Sequence, residues 1–167
     1  MTRKIESITF EEALVAVNAM LAEVKKQPNR PMALAVSDAT GIPLVVYKMD
    51  GANDFVRLMV MKKVWTACQL GDNTKATKGS IENEHMTLAD FNHPYATTVP
   101  GGVVIVKPGT ERDAIPKDKD MKGGVQMSRG QLGACAAGGR SSFEDEDIAM
   151  VGVKAIQKIV WPEEYKK

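Results

Sequence analysis

Two histidines are the side chains of this sequence best suited to proton transfer or iron binding near neutral pH. His93 lies between two aromatic residues in the segment Phe-Asn-His-Pro-Tyr, whereas His85 follows two glutamates and reads as a solvated helix residue. A free imidazole titrates at about pH 6.5 and can also ligate haem iron. His93 is therefore the candidate general base and the candidate axial ligand of a non-covalently bound haem. The alternative interpretation is an ordinary histidine of a surface loop.

The spacing of the other reactive side chains argues against several familiar sites. Cys68 and Cys135 are far apart, so the chain has neither a Cys-x-x-Cys pair nor the Cys-x-x-Cys-His motif that attaches haem covalently. There is no His-x₃-His spacing, and a closed zinc site is not expected. The Gly-x-Ser-x-Gly elbow of many serine hydrolases is also missing. We expect two reduced, buried thiols, with a single disulfide between them as the alternative.

Two cations could hold an acidic ligand. Arg140 follows two glycines and could bind a carboxylate, such as a haem propionate or a small organic acid, through two parallel hydrogen bonds. Lys63 interrupts an apolar helix face. It is either a lysine whose stem covers the core or a partly desolvated ammonium that pairs with Asp50 or an anionic ligand. Phosphate is not expected beside Arg140, because the carboxylates of residues 144–147 already occupy the positive end of the helix dipole.

Hydrophobic periodicity and turn signals predict the elements that position these side chains. Two strand pairs separated by a helix indicate an α+β fold and not a doubly wound parallel sheet. The first predicted element is a helix with a capping box at Thr9 and Glu12, and the last is a helix that begins with a capping-box-like Ser142 to Asp145 and ends at Trp161. Between these helices the sequence predicts a hairpin over 32–49, a helix over 55–70, a short helix around 81–88, a strand over 103–106 and a strand over 131–137.

Length and charge limit the function classes. The 167 residues suit a single domain over 1–167, with a long hydrophilic loop at about 108–130. Lys and Arg number 22 and Asp and Glu 21, and only 5% of residues are aromatic, which argues against a nucleic-acid-binding protein. The sequence has no apolar stretch typical of a membrane span or a secretory signal, so we expect a cytoplasmic protein without membrane partners.

Four motifs, taken in order and spacing, resemble the GlcG/HbpS-like family, which includes the C-terminal domain of PduO-type corrinoid adenosyltransferases. The resemblance covers roughly residues 8–160. The motifs are Ala35-Val36-Ser37-Asp38 with Gly41, running into Tyr47-Lys48-Met49-Asp50-Gly51-Ala52; Lys63-Val64-Trp65-Thr66-Ala67; Pro100-Gly101-Gly102-Val103; and Leu132-Gly133-Ala134 with Gly138-Gly139, leading to Asp145-Glu146-Asp147-Ile148-Ala149.

The resemblance implies a profilin-like fold, in which helices cover an antiparallel sheet of about five strands, and it implies homo-oligomers. Members of the family bind small molecules, and several bind haem. Asp50, Lys63, Thr66 and Asp145 match motif positions and are carried over as site residues. The chain departs from the family in its enlarged last hairpin, residues 111–130, and in the strand Gly-Ala-Cys-Ala-Ala-Gly-Gly that follows it. We expect both departures to affect the ligand more than the fold.

Three functional hypotheses follow. The first is a cytoplasmic, oligomeric protein that binds haem or a related tetrapyrrole between the helix from Phe55, the His93 loop and the 111–130 loop, with Arg140, Lys63, Thr66, His93 and Asp145 as ligand-binding residues. The second is a catabolic enzyme for a carbonyl or carboxylate compound, in which Arg140 or Lys63 holds the acid group, His93 or Asp50 moves a proton, and the long loop forms a lid. The third is an accessory scaffold without its own pocket.

Overall fold

A four-stranded antiparallel sheet lies between two layers of helices in the computed structural model, which describes residues 5–109 and 130–165. The elements are α1 (Phe10–Val24), β1 (Ala33–Ser37), β2 (Pro43–Lys48), α2 (Asp54–Leu70), α3 (Thr74–Asn83), a 3₁₀ helix (Leu88–Phe91), β3 (Gly102–Ile105), β4 (Gly133–Gly138), α4 (Ser142–Val160) and α5 (Pro162–Tyr165).

The sheet confirms the predicted α+β class and both predicted antiparallel pairs, β1 with β2 and β3 with β4. Its strand order is β2-β1-β4-β3, so β4 returns to the centre beside β1. The described residues contain four strands, whereas the family resemblance implies about five. Residues 110–129, which form most of the predicted long loop, lie outside the described residues.

Alternation along the strands divides the core into two parts. Leu34, Val36 and Cys135 face α1 and α4, whereas Ala33, Ala35 and Ala134 face α2. Because β4 is covered on both faces, its small side chains let the helices approach closely. A Cβ at Gly152 of α4 would lie 2.9 Å from the Sγ of Cys135, so only glycine permits that approach.

The sequence misplaces two local boundaries. The prediction of a short helix around 81–88 is wrong. Helix α3 ends at Asn83, His85 has a positive φ of 54°, and a separate 3₁₀ helix begins at Leu88. The closing helix is capped by Ser141 with Glu144, one residue earlier than predicted. This shift matters for the site, because it leaves Asp145 outside the capping box.

Helix α2 buries a different face from the one its apolar pattern indicates. Phe55 is 65% exposed and Leu58 is 41% exposed. The buried residues of α2 are Val60, Lys63, Val64, Thr66, Ala67 and Cys68. The apolar residues of α2 are thus divided between the core and the surface. None of the helices formed by residues 5–109 and 130–165 is long and apolar enough to cross a bilayer.

Candidate functional site

Lys63 and Asp145 form an ion pair in the interior, between α2 and the first turn of α4. The side chain of Lys63 is 2% exposed. Its Nζ donates hydrogen bonds to the Oδ2 of Asp145 at 3.0 Å and to the carbonyl oxygen of Ala137 at 2.7 Å. The other carboxylate oxygen of Asp145 accepts a hydrogen bond from the backbone N–H of Arg140 at 3.1 Å. Lys63 therefore pairs with Asp145 and not with Asp50, which is exposed in the turn after β2.

Burial and mutual attraction act in opposite directions on this pair. Burial lowers the pKa of Lys63, and the nearby carboxylate of Asp145 offsets part of that effect. Burial also raises the pKa of Asp145, and Lys63 opposes the rise. Removing charged groups from water costs free energy unless they are paired with an opposite charge and hydrogen-bonded. Lys63 and Asp145 meet both conditions.

Glycines form the walls around the ion pair. A Cβ at Gly101, whose φ is +109°, would lie 2.7 Å from the Cβ of Asp145 and 2.8 Å from the Nζ of Lys63. A Cβ at Gly102 would lie 2.7 Å from the carbonyl oxygen of Lys63. Three motifs that are separate in the sequence therefore meet in the interior of the fold. They are Lys63, the Gly101-Gly102 turn, and Asp145 at the start of α4.

Arg140 is used to cap α1. Its Nη2 donates to the carbonyl oxygens of Val24 and Gln27, both at 3.2 Å, and of Arg30 at 3.4 Å. A cation at the carbonyl end of a helix interacts favourably with the helix dipole. The guanidinium thus stabilises the end of α1 and the turn that follows.

A second group of predicted residues lies on the opposite side of α2. The ring of His93 stacks on Trp65, with 3.9 Å between the ring centroids and 2° between the planes. The ring of Tyr95 lies 6.4 Å from Trp65. The Nδ1 of His93 accepts a hydrogen bond from the backbone N–H of Tyr95 at 3.2 Å. His93 and Tyr95 are both exposed to solvent.

Thr66 fixes this loop to the helix. Its hydroxyl donates to the carbonyl oxygen of Tyr95 at 3.1 Å and accepts from the N–H of Thr97 at 3.0 Å. Thr66 is fully buried beneath the loop. Its position next to Trp65 explains how one helix holds both the indole and the loop that carries His93.

A row of outward-facing side chains continues from the Trp65–His93 stack toward the start of α2. At 100° per residue, Phe55, Leu58, Lys62 and Trp65 fall on one side of the helix, and we call these four residues the α2 stripe. It is about 15 Å long from Phe55 to Trp65. Phe55 and Leu58 are its exposed apolar residues, whereas Lys62 and Trp65 are partly buried.

The structure thus separates the predicted site residues into two groups and one outlier. Lys63 and Asp145 form the ion pair, to which Arg140 contributes only its backbone N–H. His93 and Thr66 meet beside Trp65. Within the described residues, Asp50 makes no hydrogen bond or ion pair to either group. The sequence analysis placed the helix from Phe55 at the ligand site but did not name Trp65 or Lys62, which are both partly buried, as site residues. The described part of the chain has no group of three His, Cys, Asp or Glu side chains suited to a metal ion.

Comparison with known proteins identifies the family. The model of the family described as "Haem degrading protein HbpS-like" matches residues 8–112, so this chain belongs to the HbpS-like family. No curated protein sequence matches it significantly.

Solved structures share the fold over nearly the whole chain. A double mutant of Streptomyces reticuli HbpS has a TM-score of 0.68 at 21% identity, covering 92% of this chain and 88% of its own. Klebsiella pneumoniae protein ORFY has a TM-score of 0.68 at 17% identity, covering 93% and 94%. A structure described as a PduOC:Heme complex has a TM-score of 0.67 at 20% identity, covering 89% and 94%.

Proposed function

We propose that this protein binds haem, or a related tetrapyrrole, on the α2 stripe beside the Trp65–His93 stack. The observation that carries the proposal is a side of α2 that exposes the apolar residues Phe55 and Leu58 and leads to an exposed histidine stacked on the indole of Trp65. The description of the family as haem-degrading and the haem complex of the similar PduOC structure support it. The proposal concerns binding and includes no reaction.

The residues of the stripe suit the chemistry of haem. Phe55, Leu58 and Trp65 offer apolar and aromatic surface to a flat macrocycle. Lys62 lies among them and forms no ion pair within the described residues, so its ammonium can bind a propionate. Bound haem would supply an iron with an open coordination position, for which His93 is the candidate ligand.

Iron binding by His93 requires a change in its hydrogen bonding. Since Nδ1 accepts from the N–H of Tyr95, the proton of a neutral ring is on Nε2. To hold haem iron, His93 would offer an unprotonated Nε2, and Nδ1 would then carry the ring proton and would no longer accept from Tyr95. We therefore expect the loop around Tyr95 to rearrange when His93 binds iron.

The remaining parts of the proposal concern assembly and location. We propose a homo-oligomeric, cytoplasmic protein, as the family resemblance and the unpaired, buried thiols Cys68 and Cys135 suggest. The catabolic-enzyme alternative has less support from the geometry, because Lys63 and Arg140 already bind protein groups. The lid of that hypothesis lies mostly at residues 110–129, outside the described residues.

Titration with haemin tests the binding proposal. We expect a saturable, shifted Soret band with the wild-type protein, a changed band position and weaker binding with His93→Ala, and wild-type behaviour with the matched variant His85→Ala, since His85 is also exposed. Lys62→Gln should weaken binding several-fold without moving the band. Absence of any shifted band with the wild-type protein contradicts the proposal and favours the scaffold hypothesis.

A further inference from the structure

One hydrogen bond and one ring contact hold the imidazole of His93. Its Nδ1 accepts from the backbone N–H of Tyr95 at 3.2 Å, which is the only hydrogen bond of this ring within residues 5–109 and 130–165. Its face lies on the indole of Trp65, with 3.9 Å between the ring centroids and 2° between the planes. The two contacts use different parts of the imidazole, because the hydrogen bond engages an edge of the ring and the stack engages a face.

The form of His93 that can hold iron loses the hydrogen bond and keeps the stack. When Nε2 is unprotonated, the ring proton is on Nδ1, which then faces a second donor, the N–H of Tyr95. Metal-binding histidines are usually oriented by a hydrogen bond that the other ring nitrogen donates to an acceptor. Stacking depends on the faces of the rings and not on which nitrogen carries the proton. The contact with Trp65 is therefore the one that persists when His93 is ready to bind a metal.

The backbone that carries Trp65 is itself fixed by the turn between β1 and β2. A Cβ at Gly41, whose φ is +84°, would lie 2.9 Å from the Cα of Trp65, so this turn packs against the helix at that residue. About one turn further along α2, the Nε2 of Gln69 donates to the carbonyl oxygen of Thr40 at 2.6 Å. The indole therefore extends from a rigid helix, whereas His93 lies in an irregular loop. Groups on helices are held in place more accurately than groups on loops.

We infer that Trp65 is a positioning residue for His93. The lone pair of Nε2 lies in the plane of the imidazole ring, so a contact that fixes this plane also fixes the direction in which Nε2 can bind a metal. The indole fixes the plane through the stack and leaves Nε2 without a hydrogen bond to any described residue. Tyr95 does not share this role, because its ring is tilted by 40° to that of His93 with 6.0 Å between the centroids.

This inference rests on the proposed haem binding and gives Trp65 a role beyond that of apolar surface, since the indole acts through His93. The stack itself is tested in the protein without haem. The chain has two histidines, so its imidazole C–H spectrum contains one set of signals from His93 and one from exposed His85. Protons above the face of an indole are shielded by its ring current, and we expect the His93 signals upfield of the His85 signals.

Two variants complete this measurement. The upfield shift should decrease in Trp65→Phe, whose ring is smaller, and disappear in Trp65→Leu, while the His85 signals stay where they are in the wild-type protein. His93 signals at the position of the His85 signals in the folded wild-type protein overturn the inference, whatever the result with haemin. This outcome is read from the wild-type protein and does not depend on the folding of any variant.

Titration with haemin then tests the positioning role. Trp65→Leu should weaken binding several-fold and move the Soret band toward that of His93→Ala, because the ring of His93 is no longer held in the orientation that ligates iron. Trp65→Phe keeps a flat partner for the imidazole and should restore the wild-type band. Leu58→Ala is the control for lost apolar surface. It should weaken binding without moving the band, because Leu58 lies about two turns before Trp65.

A double variant shows whether Trp65 acts through His93. In the His93→Ala background, Trp65→Leu should not move the Soret band further, and an equal movement in both backgrounds overturns the positioning role. A wild-type band in a Trp65→Leu protein that far-UV circular dichroism shows to be folded overturns this inference alone and leaves the haem proposal intact. Absence of a shifted band with the wild-type protein overturns both.

Discussion

A buried ammonium needs an environment that replaces water, and three features around Lys63 provide it. Asp145 supplies the opposite charge, the carbonyl oxygen of Ala137 accepts a second hydrogen bond, and Gly101 leaves the space that any larger residue would fill. Removal of one partner from such a pair leaves an uncompensated charge in the interior. The pair is therefore expected to matter for folding more than for ligand binding.

A double-mutant cycle measures this coupling. Lys63→Met and Asp145→Asn should each lower the free energy of unfolding by about 3–5 kcal/mol, because each leaves the other group without its partner. The double variant should lose clearly less than the sum of the two single losses. Urea unfolding gives the values, and Lys62→Met, at a partly exposed neighbouring position, is the control with a small effect. Strictly additive losses would show that the two groups do not interact.

The glycine wall gives a second prediction at this scale. Gly101→Ala should destabilise the protein by several kcal/mol, since it combines left-handed backbone strain with a Cβ 2.8 Å from the Nζ of Lys63. Gly109→Ala has similar backbone strain at φ +83°, but no atom of the described residues lies within 4 Å of the new Cβ. The difference between their melting temperatures isolates the contact. Equal melting temperatures would mean that the wall accommodates a methyl group.

At the scale of elements, the start of α4 shows why local sequence did not determine the register of the cap. Both Ser141 and Ser142 are followed three residues later by a carboxylate, so either serine suits a capping box. The tertiary structure decides between them: Glu144 bonds to Arg30 at 2.5 Å, and Asp145 is needed by Lys63. One residue of shift changes Asp145 from a predicted cap residue to a core residue.

The capping carboxylate should make stability depend on pH. Hydrogen bonds from Arg30, followed by those from Ser141, lower the pKa of Glu144 from its ordinary value of 4.5 to about 2. A depressed pKa means that the folded state holds the proton less tightly than the unfolded state, so the contribution is present above pH 4.5 and is lost as pH falls toward 2.

The variant Glu144→Gln tests this dependence. Its stability should fall below that of the wild-type protein at pH 7, and the gap should narrow between pH 4.5 and pH 2. Chemical unfolding at several pH values gives the comparison, with Glu84→Gln, at an exposed residue outside the capping box, as control. A gap that stays constant over that range would rule out the Glu144 carboxylate as its cause.

Helix α2 is the element whose sequence pattern misleads most. Apolar residues occur on both sides of α2, so periodicity alone does not say which side faces the sheet. The buried side includes Lys63, and the exposed side includes Phe55 and Leu58. Helices normally bury apolar side chains and expose charged ones, whereas α2 buries a lysine and exposes a phenylalanine. Such exceptions are expected where a surface has a function.

For the whole molecule, local sequence signals predicted the strand pairs and most of the helices. They did not predict the contacts between segments that are distant in the sequence. The hairpin of β1 and β2 follows from two apolar runs and a short turn, but the placement of β4 beside β1 has no local signal. The family resemblance correctly indicated the relationship. Several of its motif residues, including Lys63, Gly101, Gly102 and Asp145, form the buried ion pair or the walls around it. The proposed haem surface depends on Trp65 and its neighbours.

Hydrogen–deuterium exchange with and without haemin tests the central claim most directly, because it locates bound haem on the whole molecule. We predict that haemin slows amide exchange in residues 54–66 and changes it in residues 91–97, where the Tyr95 hydrogen bond to His93 lies, while residues 142–160 of α4 are unaffected. Protection confined to α4 and α1, or no change anywhere, would contradict a haem site on the α2 stripe.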